Sequence, residues 1–320
     1  MLTRTGGDET ETASQPADLA VVSCYFNPCN YKSRFNNLRQ YIVGLEQQAV
    51  HLYLANLTLK DEIGVVSPST AATVIEFQGR DVLWHKERLL NLLIRRLPPQ
   101  YTKVAWIDAD VIFPNFRWFR WTSELLDTYD LVQLYDKAFQ RDNNGRTIGK
   151  REGLVAYISA GKPEPFRFDS SRTWPGLAWG AKRDLLATHG LFDVMVTGGA
   201  DTYMSLAAYG RIKGEWHGDL LAPKLRKVWK DWAERFYGEI QGRVGFVPTA
   251  VIQLGHGTLE NRRYVDRLRI LTAHDFDPEA DISPDENGVW RWATNKPFLH
   301  QAVYDYFESR KEDKSESVSL

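Results

Sequence analysis

The chain has 320 residues, 43% of them hydrophobic and 25% charged, so it can bury a substantial core and sits at the upper end of what one domain carries. Lysine plus arginine (40) nearly balance aspartate plus glutamate (41), which excludes a global field pulling the molecule onto nucleic acid or an anionic membrane and leaves only local patches open. The cysteines, Cys24 and Cys29, offer neither a disulfide framework nor a four-ligand metal site and predict a reducing compartment.

In chain order, residues 1–17 are polar and acidic and predict a disordered tail with no apolar signal segment. "LAVVSCYF" then predicts a strand, "SRFNNLRQYIVGLEQQA" a helix and "HLYLANLTL" a strand. Next come "DVLWHKERLLNLLIRRL", a helix with Leu89, Leu90, Leu93 and Leu97 on its core face, and "KVAWIDADVIF", a strand. "FRWFRWTSELLDT" predicts a helix and "DLVQLYDKAF" a strand; the stretch from Gln140 to Gly176, rich in turn chemistry, predicts a long loop acting as a lid or acceptor platform. A second ordered block follows in "GLAWGAKRDLLATHG", "GGADTYMSLAAYG" and "VGFVPTAVIQLGHG".

Residues 224–243 form a basic amphipathic helix whose Trp229, Trp232 and Phe236 predict packing beneath a solvated face; binding of a phosphate-bearing acceptor is the alternative. Residues 309–320, "SRKEDKSESVSL", predict a second disordered tail. No segment reaches the roughly 18 apolar residues of a membrane span, so a cytoplasmic protein is expected, bacterial or viral rather than secretory. Alternating strands and helices predict one α/β domain over residues 18–308, with a mainly parallel central sheet and helices on both faces. Ligands of such sheets bind at the carboxyl ends of the strands.

The chemistry concentrates in "WIDADV". Asp108 and Asp110 share one face of a strand or converge on a tight turn, and carboxylates in such a setting need a cation. A hard divalent metal carrying a phosphorylated substrate answers that need; a strand-end turn capped by aspartates is the other reading.

Four segments in order, over about residues 21–270, resemble the GT-A glycosyltransferases, most closely the inverting β-1,4-galactosyltransferase type and its N-acetylgalactosaminyl relatives. They are "YFNPCNYKSRFNNLRQYI", "WHKERLLN", the D-A-D itself, and the pair "GLAWGAKRDLLATHGLFDVMVTGGADTYMSLAAYG" and "VIQLGHGTLENRRYVDRL". The resemblance implies a GT-A, Rossmann-like fold with a nucleotide-sugar half at about 18–137 and an acceptor and catalytic half at about 138–308. It places Arg34, with Tyr25, Asn27 and Pro28, against a nucleotide-sugar donor, UDP-linked in most such enzymes, and Lys86 and Asn91 near its diphosphate. Trp179, Gly180 and Gly199 fall on donor-binding positions of the same pattern. Asp110 and His256 fall on metal ligands for Mn²⁺ or Mg²⁺, with Gln253 where a sulfur ligand normally sits; Asp108 lies by the ribose or the metal's water shell. Asp201 falls on the general base, although an aspartate there also suits a helix N-cap.

The pattern departs in two places. "DVMVT" stands where a tryptophan-rich lid is expected and Ala200 where an acidic residue precedes the base, so acceptor choice is not carried over from the family. Glycans, glycolipids, proteins and modified nucleic acid all stay open. Trp174, Trp179 and Trp216 are expected in loops near the site, while Trp84, Trp106 and Trp118 serve equally well as core. Two other readings use the same sheet: a nucleotidyltransferase or phosphohydrolase, which needs no acceptor base, and a carbohydrate-binding protein without catalysis.

Overall fold

The computed structural model describes residues 15–59, 72–163, 166, 172–213, 220–258 and 260–314. Trp216 and most of the two expected tails, 1–14 and 315–320, lie outside the described residues.

The strands and helices run β1 Leu19–Tyr25, α1 Lys32–Glu46, β2 Leu52–Leu59, β3 Ala72–Gly79, α2 Lys86–Arg96, β4 Lys103–Ile107, β5 Val111–Ile112 and α3 Trp118–Thr128. They continue with β6 Leu131–Gln133, β7 Lys137–Arg141, β8 Thr147–Gly153, α4 Leu154–Ser159, β9 Thr173–Trp174, β10 Ala178–Lys182, α5 Arg183–His189, α6 Ala200–Ala208 and α7 Pro223–Ile240. The last are β11 Val244–Phe246, β12 Ala250–Gln253, α8 Asp266–Ala273, β13 Ile282–Pro284, β14 Trp290–Trp292 and α9 Pro297–Ser309.

The central sheet has seven strands in the order β11-β6-β10-β4-β1-β2-β3, parallel except for β10, which pairs antiparallel with β4 and β6. β1 is apolar along most of its length because both its faces are covered, as in other central parallel strands. Side chains alternate across it: Ala20 and Val22 join α2, α5, α6 and α7 in one core, and Leu19 and Val21 join α1 and α3 in the other. This is the Rossmann-like α/β arrangement expected of the sequence. A five-stranded sheet, β5-β12-β7-β8-β9, and the hairpin β13-β14 complete it.

The order of the strands fixes where a ligand can enter. From β1 the chain steps outward through β2 to β3, and α2 then returns it to β4 on the other side of β1. The strand order reverses between β1 and β4, and the crevice beyond their carboxyl ends is the switch point at which open α/β sheets bind ligands.

Several expectations are corrected. The single strand foreseen over 103–113 is two, β4 and β5, in different sheets, because the D-A-D residues form a turn: Val111 N–H donates to the Asp108 carbonyl at 3.1 Å. The strand over 130–139 splits likewise into β6 and β7. The region foreseen as loop from Gln140 to Gly176 carries β8, α4 and β9. Residues 309–314, foreseen as tail, are folded in: Arg310 is 2% and Glu312 1% exposed. Among the described residues, no helix is long and apolar enough to cross a membrane.

Candidate active site

A cleft opens at the switch point, and the D-A-D turn forms its floor. Asp108 follows the end of β4 directly, and its N–H donates to the Leu177 carbonyl at 2.8 Å, tying the turn to the loop before β10. Beyond the turn, β5 pairs with β12 (Val111 with Gln253), and Leu254 N–H donates to the Asp110 carbonyl at 2.8 Å. Those bonds bring His256 against Asp110 although 146 positions separate them in sequence. Gly255 is required there: a Cβ would meet the Asp142 backbone at 2.3 Å.

His256 Nδ1 lies 2.9 Å from Asp110 Oδ2 and 2.9 Å from the Leu254 carbonyl. Two oxygen acceptors at one ring nitrogen place the proton there and leave Nε2 as the ring's acceptor. Gln253 Nε2 stands 3.4 Å from that Nε2. Asp110 Oδ1 and Gln253 Oε1 are buried and find no hydrogen-bond partner among the described residues. An imidazole nitrogen beside a carboxylate and an amide oxygen suits Mn²⁺ better than Mg²⁺, which prefers oxygen alone. Among the described residues, no three His, Cys, Asp or Glu side chains come together as a group that could hold a metal.

Asp108 turns the other way. Lys86, the first residue of α2 and 7% exposed, lies 2.7 Å from Asp108 Oδ1 and 3.0 Å from Asp201 Oδ2. Burial works against the Lys86 ammonium, but Asp108 and then Asp201 hold its pKa well above the usual range. Desolvation in the cleft pushes the Asp108 carboxyl up to about 6 against the pull of Lys86, with the Asp201 charge adding to the rise. Asp108 therefore joins Lys86 and Asp201 rather than the Asp110–His256 pair, and Lys86 serves carboxylates rather than waiting free for a diphosphate.

Asp201 sits in the first turn of α6, whose N-cap is Gly199 at φ +107°, a left-handed backbone that suits glycine. The N-cap role foreseen for Asp201 thus goes to glycine, and the carboxylate is directed to Lys86. Opposite stands Gly176, where an added Cβ would come within 3.1 Å of Asp201 Oδ2. The carbonyls of Trp174 and Gly176 both lie 2.9 Å from the buried Tyr135 hydroxyl, which fixes this wall.

Apart from Arg34, the far wall was not foreseen. Arg34 of α1, Arg262, Arg267 of α8 and Arg310 after α9 all line the cleft, together with Glu312. Glu312 accepts from Arg310 Nε at 2.6 Å and lies 3.4 Å from Arg34 Nη1 and 3.7 Å from Arg262 Nη1. Burial alone would raise its carboxyl, yet Arg310, then Arg34 and Arg262, hold it down at about 2.

Of the residues foreseen for the donor, Tyr25, Arg34, Lys86, Asp108 and Gly199 line the cleft, as do Asp110, Asp201, Gln253 and His256. Others do structural work elsewhere. Asn27 closes a turn onto Tyr31 through bonds of 2.9 and 3.0 Å, and neither it nor Pro28 lines the cleft. Asn91 is buried and exchanges two bonds with Leu191. Trp179 is fully buried in β10, not in a loop, and donates to the Pro175 carbonyl at 2.8 Å. Gly180 packs on Thr122 in the core. Trp106 and Trp118 are core, while Trp84 and Trp174 line the cleft.

No family model and no curated protein matches the sequence. Among solved structures, the chain is similar to a mutant of Drosophila β-1,4-galactosyltransferase 7 in complex with manganese, UDP-Gal and xylobiose (11% identity, 60% of this chain and 61% of that one, TM-score 0.34). It is also similar to glucosyl-3-phosphoglycerate synthase from Mycobacterium tuberculosis in complex with Mn²⁺, UDP and phosphoglyceric acid (12% identity, 86% of each chain, TM-score 0.41). A third is 4-diphosphocytidyl-2C-methyl-D-erythritol synthase from Anaerococcus prevotii (11% identity, 72% of this chain and 86% of that one, TM-score 0.32). The chain spans 61% of the length of the galactosyltransferase. With every TM-score below 0.5, the reaction has to be argued from the site itself.

Proposed function

We propose that the protein is a metal-dependent, inverting glycosyltransferase that moves a sugar from a UDP-linked donor to an acceptor hydroxyl, with Asp201 as general base. The observation that carries this reading is the division of labour in the cleft. Asp110 and Gln253 present unpartnered oxygens suited to a cation beside the His256 ring, and a separate carboxylate, Asp201, is held by Lys86. Phosphohydrolysis or nucleotidyl transfer would use the first feature but gives no role to the second.

In this reading the cleft's cationic wall receives the donor's diphosphate, and Asp110, His256 and Gln253 would hold Mn²⁺ or Mg²⁺ beside it. Such a cation, when bound, supplies charge to the departing diphosphate. Asp201 takes the proton of the acceptor hydroxyl as its oxygen bonds to the anomeric carbon and the bond from that carbon to the phosphate oxygen breaks with inversion. The Lys86 ammonium, 3.0 Å from Asp201 Oδ2, keeps that carboxylate aimed. Asp108 shares that ammonium, so the lysine stays paired after Asp201 has been neutralised.

Incubation with a panel of nucleotide sugars and Mn²⁺ tests this. The expected product is free sugar with nucleoside diphosphate, formed slowly with water as acceptor. Asp201→Asn should slow it by about 10²- to 10⁴-fold while UDP binding and the melting temperature stay near those of the parent. Release of nucleoside monophosphate would point to nucleotidyl transfer or phosphohydrolysis instead, and turnover of the variant within about threefold of the parent, well short of that range, removes Asp201 from the mechanism.

A further inference from the structure

The arginine wall holds more positive charge than its own carboxylate answers. Arg34, Arg262 and Arg310 surround Glu312, yet only the Arg310 contact is tight, at 2.6 Å; the other two are 3.4 and 3.7 Å. Arg262 Nε and Arg310 Nη2 are buried and find no acceptor among the described residues, and the same holds for Arg34 Nε and Arg267 Nε. Buried guanidinium N–H groups left unmatched are costly and rare. One carboxylate cannot saturate this many forked donors, whereas a phosphate or diphosphate, with more oxygens spread in three dimensions, can. The surplus of positive charge also shows in Tyr306. Burial would raise its phenol, but Arg310 and Arg267 bring it down to about 8.

The segment that brings Glu312 is fastened at several points along its length. Asp313 accepts from the Lys32 and Ser33 N–H groups at 3.1 and 2.8 Å, capping α1; Asn143 donates to the Glu312 carbonyl at 3.0 Å; Lys311 N–H donates to the Tyr31 hydroxyl at 3.1 Å. Gly257, directly after His256, lies where a Cβ would meet Glu312 Cα at 3.0 Å. The segment thus rests on the loop that carries His256.

We infer that Arg34, Arg262 and Arg310 form a phosphate-binding subsite for the diphosphate of the donor, and that the Glu312 carboxylate is its resident occupant, displaced together with residues 311–314 when that diphosphate enters. The identity of the anion rests on the nucleotide-sugar reading above. The subsite itself rests on the arginines. Glu312 offsets part of the cluster's charge when no donor is bound, and every donor molecule must exchange with it. Apparent affinity is reduced by the fraction of molecules in which the carboxylate occupies the subsite.

The test uses the full chain and inorganic pyrophosphate, titrated without added metal so that the arginines alone are read. Glu312→Gln keeps shape and removes the competing charge, so pyrophosphate should bind about tenfold tighter than to the parent. Affinity that is unchanged or weaker overturns the inference, because Glu312 would then be orienting the arginines rather than competing for them. Should the variant fold poorly, hydrogen exchange of the parent decides. Amides 311–314 should exchange faster on adding pyrophosphate, and slower exchange there overturns displacement. UDP with Mn²⁺ is titrated in parallel. If neither protein binds UDP while pyrophosphate still tightens on Glu312→Gln, the nucleotide-sugar reading falls and the phosphate subsite stands.

Discussion

The cleft has two charged walls built on different principles. On the Lys86 wall, one buried ammonium meets two carboxylates at 2.7 and 3.0 Å, close enough for each contact to be a charge-assisted hydrogen bond. On the arginine wall, three guanidinium groups share one carboxylate, two of them at 3.4 Å or more, and buried donors are left over. The first wall is complete in itself, which suits a group that must be aimed at an acceptor before it arrives. The second has donors left over for an added anion, which suits the leaving group of the proposed transfer. In the proposed transfer, opposite ends of the reaction call for opposite degrees of internal satisfaction.

The comparison breaks most readily by removing one cation from each wall. Removing one partner of a buried pair typically costs about 3–5 kcal/mol because the other charge is stranded. Asp108 and Asp201 keep side-chain exposures of 27% and 24%, which tempers the cost. Lys86→Met should therefore destabilise by about 2 kcal/mol, read as a fall in melting temperature of about 3 °C, and should also cripple turnover. Arg34→Met should leave stability within about 1 kcal/mol of the parent, since it takes away a cation in surplus, yet weaken pyrophosphate binding. Equal losses of stability in the two variants would erase the distinction.

Much of the first wall was legible in the sequence because its residues sit in local patterns. Lys86 opens an amphipathic helix, the D-A-D interrupts an apolar strand, and Asp201 follows a pair of glycines. The order β1, α1, β2, α2, β4 was equally plain from hydrophobic periodicity. β3 was missed because "ATVIEFQG" at the sheet edge is only partly buried and mixes charge with apolar residues. The region from Gln140 to Gly176 looked like loop because its turn residues outweighed the short apolar run that forms α4. The second wall was illegible for a different reason. Arg262, Arg310 and Glu312 lie far along the chain from Arg34, and "SRKEDK" has the composition of a solvated tail; only tertiary packing turns those charges inward. The one local hint was the arginine run in "NRRYVDRLR", close behind His256. Trp179 and Gly180 misled in the reverse direction, since position within a matching motif cannot distinguish a strand interior from a cleft lining.

A smaller effect sharpens the border between the two walls. His256 is held by Asp110 and the Leu254 carbonyl rather than by either cluster of cations. His256→Ala should lower metal affinity on the order of tenfold with activity restored at raised Mn²⁺, because water replaces one neutral ligand. Activity that shows no altered metal dependence would make His256 a purely structural residue of the β12 loop.

The central claim is that the cleft holds a nucleoside diphosphate through a cation carried by Asp110 next to the arginine wall. Calorimetric titration of UDP into the parent and into Asp110→Ala, each with and without Mn²⁺, tests it most directly. The account predicts that Mn²⁺ strengthens UDP binding to the parent and that Asp110→Ala loses this gain while keeping a weak, metal-independent affinity through Arg34, Arg262 and Arg310. Metal-dependent binding that survives undiminished in Asp110→Ala would contradict it.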